Sequence, residues 1–265
     1  MYTATQSPQV YSLVDALTPI SLDDMDGVKL QDRIDSKYVI PVKSLPLIFK
    51  HLQNRYSVLD IDGRRAFNYV TTYFDTTDFQ FYRDHHNRLP GRIKVRSRTY
   101  TESNLHFFEI KTKTNLRTKK YREKLAQIHT ALSDKQCEKV NSFYRKVRPF
   151  RSKDVSSTLA PALVNTYTRI TLVNNARTER CTIDLNLAFR NPSGSDEVIR
   201  MHDFAIIELK QSKASLTNGI AASLRELHIP PSSISKYVVG LIRIHPEIKH
   251  NYFKPLLHKL ENISK

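Results

Sequence analysis

Between Arg83 and Lys124 the chain carries 13 Lys or Arg and four Asp or Glu in 42 residues, so +9 of its formal net charge of +16 is concentrated there. Within that stretch RIKVRSR sets Arg92, Lys94, Arg96 and Arg98 at every second position, with Ile93, Val95 and Ser97 between them. On a strand of period two all four cations share one face and the intervening residues take the other. A strand built this way needs an anion on its charged face, and that requirement constrains every other element.

At 265 residues and 40% hydrophobic the chain can bury a sizeable core. We expect a single domain over residues 1–265. The positive balance points to a polyanionic partner: nucleic acid, an anionic membrane surface or a phosphorylated small molecule. Cys137 and Cys181 lie far apart without CxxC spacing and read as two buried thiols of a reducing compartment. No apolar run is long enough to span a bilayer, and the expected location is the cytoplasm.

LPLIFKHLQNRY (45–56) reads as an amphipathic helix, with Leu45, Ile48, Phe49 and Leu52 at helical spacing. From Tyr69 the pattern becomes short strands rich in β-branched and aromatic residues: YVTTYFD, GRIKVRSRTY, HFFEIKTK, VNTYTRITLV, CTIDLNLAF and FAIIELK. SDKQCEKVNSFYRKV (133–147) interrupts them as a helix with Ser133 as its N-cap, NPSGSDEV (191–198) reads as a hairpin tip, and helices return after Lys213. The fold class is α+β, an antiparallel sheet with helices at its ends. His85 and His86 read as solvated loop residues, and RTKKYREK (117–124) as the start of a further strand.

The alternate positions of these strands hold long charged groups. Glu109 and Lys111 recur in one, Asn165, Tyr167 and Arg169 in another, and Glu208 and Lys210 in a third. For a single strand the simpler account is a water-facing side; six strands with the same habit point instead to a curled sheet with its charges inside, where desolvation costs several kcal/mol per ion without compensation. The inward set is then Lys94, Arg96, Arg98, Lys111, Arg169 and Lys210 against Glu109, Asp184 and Glu208. Such a field suits a polyphosphate or a nucleoside triphosphate, with carboxylates left for a divalent metal.

In order along the chain, RIDSKYVIP, YFD, YRDHHNR, KVRSRTY, FFEIKTK, NTYTRITL, TIDLNL, AIIELK and ISKYVVG resemble the VTC domain, the polyphosphate polymerase module of the triphosphate tunnel metalloenzymes, which are CYTH-like proteins. The resemblance runs from about Arg33 to about Gly240, leaving 241–265 as C-terminal helices. It implies a closed antiparallel β-barrel, with helices packed at its ends and outside, whose basic interior grips a triphosphate beside Mg²⁺ or Mn²⁺. Lys37, Arg96, Arg98, Lys111, Arg169 and Lys210 are its expected catalytic cations. Arg83, Lys94, Lys120, Tyr167, Ser235 and Lys236 are expected to bind phosphate, and Glu208 to bind the metal, with Glu109 and Asp184 as lesser metal candidates. The helix-start pair Ser235 and Lys236 agrees with the preference of helix N-termini for anions.

The activity implied is transfer of the terminal phosphoryl of ATP onto polyphosphate by a stand-alone, bacterial-type enzyme. Where the related triphosphatases begin with an E-x-E-x-K strand, this chain has Arg33-Ile34-Asp35-Ser36-Lys37, which disfavours two-metal hydrolysis. The rivals are a triphosphatase of the same fold and a non-catalytic polyphosphate or phospholigand sensor beside a membrane-protein partner. No nucleic-acid partner is expected, because exposed stacking aromatics are scarce on the basic strands.

Overall fold

The computed structural model describes residues 8–26, 33–114, 117–128, 130–150, 153–194, 197–212 and 219–264. Eight helices and eleven strands alternate along them: α1 (Pro8–Asp15), β1 (Thr18–Ile20), α2 (Leu22–Asp26), β2 (Arg33–Pro41), α3 (Leu45–Leu52), β3 (Tyr56–Leu59), β4 (Ala66–Thr76), α4 (Gln80–His86), β5 (Arg92–Tyr100), β6 (Leu105–Lys113), β7 (Thr118–Leu125), α5 (Asp134–Val147), β8 (Leu159–Asn174), β9 (Glu179–Arg190), β10 (Val198–Met201), β11 (Phe204–Ser212), α6 (Ile220–Glu226), α7 (Lys236–Ile244) and α8 (Lys254–Ile263).

The strands form one sheet whose main path is β2-β11-β9-β8-β4-β5-β6-β7, antiparallel throughout. The expected closed barrel is therefore corrected: β2 and β7 are the two ends of this path and do not pair with each other. The sheet nevertheless curls, because Lys37 on β2 lies close enough to depress the ionisation of Lys111 on β6, and Lys120 on β7 that of Lys210 on β11.

Alternation along the strands decides which side carries what. Ile93 and Val95 of β5 and Phe108 and Ile110 of β6 pack outward against Val140 and Tyr144 of α5. Ile170 and Leu172 of β8, Ile183 of β9, and Ile207 and Leu209 of β11 pack against α1, α3 and α6. The charged partners of all these residues consequently face the concave side. A third cluster, including Tyr69, Tyr73, Tyr167 and Phe189, joins that concave side to α7 and α8. Gly240 allows α7 its close approach, since a Cβ there would lie 2.4 Å from Phe189 and 2.7 Å from Leu163.

Several local expectations change. The helix from Leu45 ends at Leu52, because Asn54 takes a left-handed conformation and Tyr56 starts β3. His85 and His86 belong to α4 and are not loop residues; His86 is buried and His85 half-buried. Cys181 is buried as expected, whereas Cys137 is only half-buried on α5. Ser133 caps α5 in a full capping box with Gln136.

Candidate active site

Cross-strand register arranges the concave face in rows. Lys94, Lys111 and Lys120 stand opposite one another on β5, β6 and β7; the next row is Arg96, Glu109 and Arg122, and the one after it Arg98, Phe107 and Lys124. Arg96 donates to Glu109 at 2.6 Å, and Arg122 reaches the other oxygen of that carboxylate at 3.5 Å. Arg98 differs. It is buried, its Nε has no hydrogen-bond partner, and its guanidinium lies 5.6 Å from the centre of the Tyr69 ring.

On the facing wall Arg169 grips Asp184 through two bonds, Nε at 2.6 Å and Nη2 at 2.8 Å, and Lys236 of α7 donates to the same carboxylate. Glu208 is held more loosely, with Lys37 at 3.9 Å and Lys210 at 3.7 Å, neither within hydrogen-bonding range. Ser235, the N-cap residue of α7, makes no side-chain cap and instead accepts a hydrogen bond from Lys94 Nζ at 2.9 Å. The cations of β5 are thereby tied to the helix that fills the concave side. The hydroxyl of Tyr167, buried and without a hydrogen-bond partner, sits in a ring stacked on Tyr69 at 5.1 Å and 7°.

The electrostatics follow from burying many like charges together. Burial, reinforced by Lys37 and Lys111, pushes the Lys94 ammonium well below the ordinary lysine range, and burial with Lys37 and Lys120 pulls Lys111 down to about 8. Burial opposes ionisation of Glu208, yet Lys37, Lys210, Arg169 and Lys236 hold it at about 2. Asp184, also buried, is held well below the carboxylate range by Arg169 and Lys236. Tyr73 is unusual: although fully buried, its phenol is lowered by Arg96, Arg98 and Lys236. A cavity that keeps its carboxylates ionised and strains its lysines toward neutrality is short of negative charge.

A family model described as the VTC domain matches residues 32–245. The chain belongs to the VTC domain family. Among solved structures it is similar to PH1819 of Pyrococcus horikoshii OT3, at 12% identity over 80% of this chain and 99% of that one with a TM-score of 0.45. It is also similar to HpAC1 of Hippeastrum, reported with a dominant triphosphatase activity, at 14% identity over 78% and 94% with a TM-score of 0.43. No curated protein sequence matches it.

This VTC domain brings Lys37, Lys94, Arg96, Arg98, Glu109, Lys111, Tyr167, Arg169, Asp184, Glu208, Lys210, Ser235 and Lys236 to one concave face. Arg83 is not among them: it lies exposed on α4, bonded to Asp78 and Gln80. Lys120 sits at the open edge, exposed, with its field reaching Lys111 and Lys210. Among the cations of the face, Arg180 and Arg122 escape a reading of the sequence. Arg180, opposite Lys210 on β9, is two residues before Thr182 in the same alternation and has an unpaired buried Nε. Arg122 is hidden in a run of basic residues whose pairing only the register of β7 reveals. Tyr69 and Tyr73 carry no signal in the sequence beyond ordinary core aromatics.

Proposed function

We propose that this VTC domain is a phosphotransferase that binds a nucleoside triphosphate in its basic trough and moves the terminal phosphoryl onto a polyphosphate acceptor, releasing ADP. The observation that carries this reading is the difference in how Glu109, Asp184 and Glu208 are held. Glu109 and Asp184 are engaged at hydrogen-bond distance by arginine, whereas Glu208 has only two lysines at 3.7 Å or more. Glu109 and Asp184 thus orient Arg96 and Arg169, whereas the Glu208 oxygens lie outside hydrogen-bond range of Lys37 and Lys210.

That donor set fits Mg²⁺ or Mn²⁺ delivered on the phosphates, since such ions take one or two protein carboxylates and complete their shell with phosphate oxygens and water. When bound, the ion supplies neutralisation of charge on the transferring phosphoryl group. The chain's own residues do the rest: Arg96, Arg98, Arg169 and the lysines fix donor and acceptor in line and offset the charge of the equatorial oxygens, and no nucleophilic side chain is required. Water as acceptor, the triphosphatase alternative, finds less support, because β2 offers Asp35 and Lys37 in place of a second carboxylate pair aimed at a metal. Incubation with ATP and Mn²⁺ tests the reading: long phosphate chains with ADP support it, and free phosphate alone refutes it.

A further inference from the structure

The two ends of the trough differ in chemistry. β5 runs from Arg92 to Tyr100, about 27 Å at ~3.3 Å per residue. Around its first half cations predominate: Lys94, Lys111, Lys120 and Lys37, with Arg92 opposite Lys113, half-buried His85 in their field, and Glu208 beside Lys37 and Ser235 bonded to Lys94 as the other polar groups. Around its last residues the lining becomes aromatic. Tyr69 lies 4.8 Å from Tyr100, Tyr100 meets Phe107 edge-on at 5.6 Å, and Tyr69 stacks on Tyr167.

One flat group already occupies this aromatic end. The Arg122 guanidinium lies 3.6 Å from the centre of the Phe107 ring and donates to the Tyr100 hydroxyl at 2.9 Å, on a side chain 47% exposed at the edge strand. The separation is that of stacked planar groups, so the Phe107 face is accessible to a π-system. Just inward lie two buried polar groups with no partner, Arg98 Nε and the Tyr167 hydroxyl. A ligand whose flat part rests on Phe107 and whose first phosphate follows it would meet both.

We propose that Tyr100, Phe107 and Arg122 form a nucleobase seat, so that a nucleoside triphosphate lies with its base at the Tyr100 end of β5 and its phosphates pointing toward Lys94 and Lys111. The base is sandwiched between the Phe107 ring and the Arg122 guanidinium, which moves outward from one face to the other. The seat rests on the nucleotide reading given above and adds a polarity to it: donor nucleotides enter at the aromatic end, and the phosphate acceptor occupies the lysine-rich end.

The test compares two ligands that share phosphates and differ in the base. Calorimetry of Phe107→Leu with ATP and with inorganic tripolyphosphate should show ATP affinity falling about tenfold, the worth of one stacked base, while tripolyphosphate affinity stays at the wild-type value. Lys119→Ala, on the opposite face of β7 from the seat, should bind both ligands as the wild type does. Unchanged ATP affinity in Phe107→Leu, or equal losses for the two ligands, overturns the seat and leaves the phosphate-binding trough standing. Failure of the wild type to bind either ligand overturns the trough and the seat together.

Discussion

Arg96 and Arg98 are two residues apart on one strand face, yet the structure gives them different work. Arg96 is committed to Glu109, whereas Arg98 presents an unpaired Nε. Replacing Arg98 by Ala should therefore weaken tripolyphosphate binding by about 1.5 to 3 kcal/mol, the range of a charge-assisted contact. Arg98→Lys should rescue only part of it, since the charge remains and the planar fork is lost. Lys119, which stands on exposed β7 and faces away from Arg98, should cost less than about 0.5 kcal/mol when changed to Ala. Calorimetry on the three variants decides between a defined clamp and a diffuse basic surface, for which the losses would be equal. Glu208→Gln should lose metal-stimulated turnover while binding tripolyphosphate at least as well as the wild type, because one negative charge leaves the trough; metal-stimulated turnover at the wild-type rate would reject the assignment. At this scale the cations of β5 were visible in the sequence through strict alternation. Arg180 was not, because Glu179 and Arg180 look like the close of a turn until β9 is seen to begin there.

At the scale of elements, strands were more legible than short helices. The six strands read from Tyr69 onward all exist, five of them longer than read and GRIKVRSRTY starting one residue later at Arg92, because each is rich in β-branched and aromatic residues bounded by turn formers. α4 was missed for a tertiary reason. Its N-cap position is Phe79 in a left-handed conformation with no capping side chain; its first amide, of Gln80, donates instead to Thr76 Oγ1, and the next two, of Phe81 and Tyr82, to Asp75 at the end of β4. Asp75 accepts from the amides of Thr76, Phe81 and Tyr82 and from the Tyr237 hydroxyl of α7, so one buried carboxylate ties strand, short helix and trough-filling helix together. Asp75→Ala strands several buried donors at once, and each costs about 1 to 3 kcal/mol when unsatisfied. We expect loss of at least about 3 kcal/mol of stability in denaturant unfolding, with Asp75→Asn retaining part of it; a variant as stable as the wild type would show that Asp75 is not the tie. The motifs YFD and ISKYVVG are linked by this contact, which no local pattern in either one announces.

Over the whole molecule, the lowered lysines have one origin, a positive charge concentrated and buried on a concave face. Among the described residues no helix is long and apolar enough to cross a membrane, and the charge was readable from composition; that β2 and β7 stay unpaired was not, because pairing of the two ends of a sheet is set by the whole strand order rather than by either strand alone. The same field fixes a pH dependence. Burial and neighbouring cations hold the free Lys111 down at about 8, and Lys94 is lowered as well. A bound polyanion reverses the neighbouring repulsion and raises both values, so between pH 8 and the ordinary lysine range the complex holds more protons than the free protein. Binding must then take up protons, and affinity must fall as pH rises through that window. Below pH 8 Lys111 is already charged in both states and drops out of the linkage. Titrations of ATP at pH 8.8, where its phosphates are fully ionised, in buffers of different ionisation enthalpy should show an apparent binding enthalpy that changes with the buffer in the direction of proton uptake. Lys111→Arg, a cation that stays charged throughout, should reduce that buffer dependence while leaving binding intact. A buffer-independent enthalpy in the wild type would mean that the lysines are fully charged without ligand and that the trough is not short of negative charge.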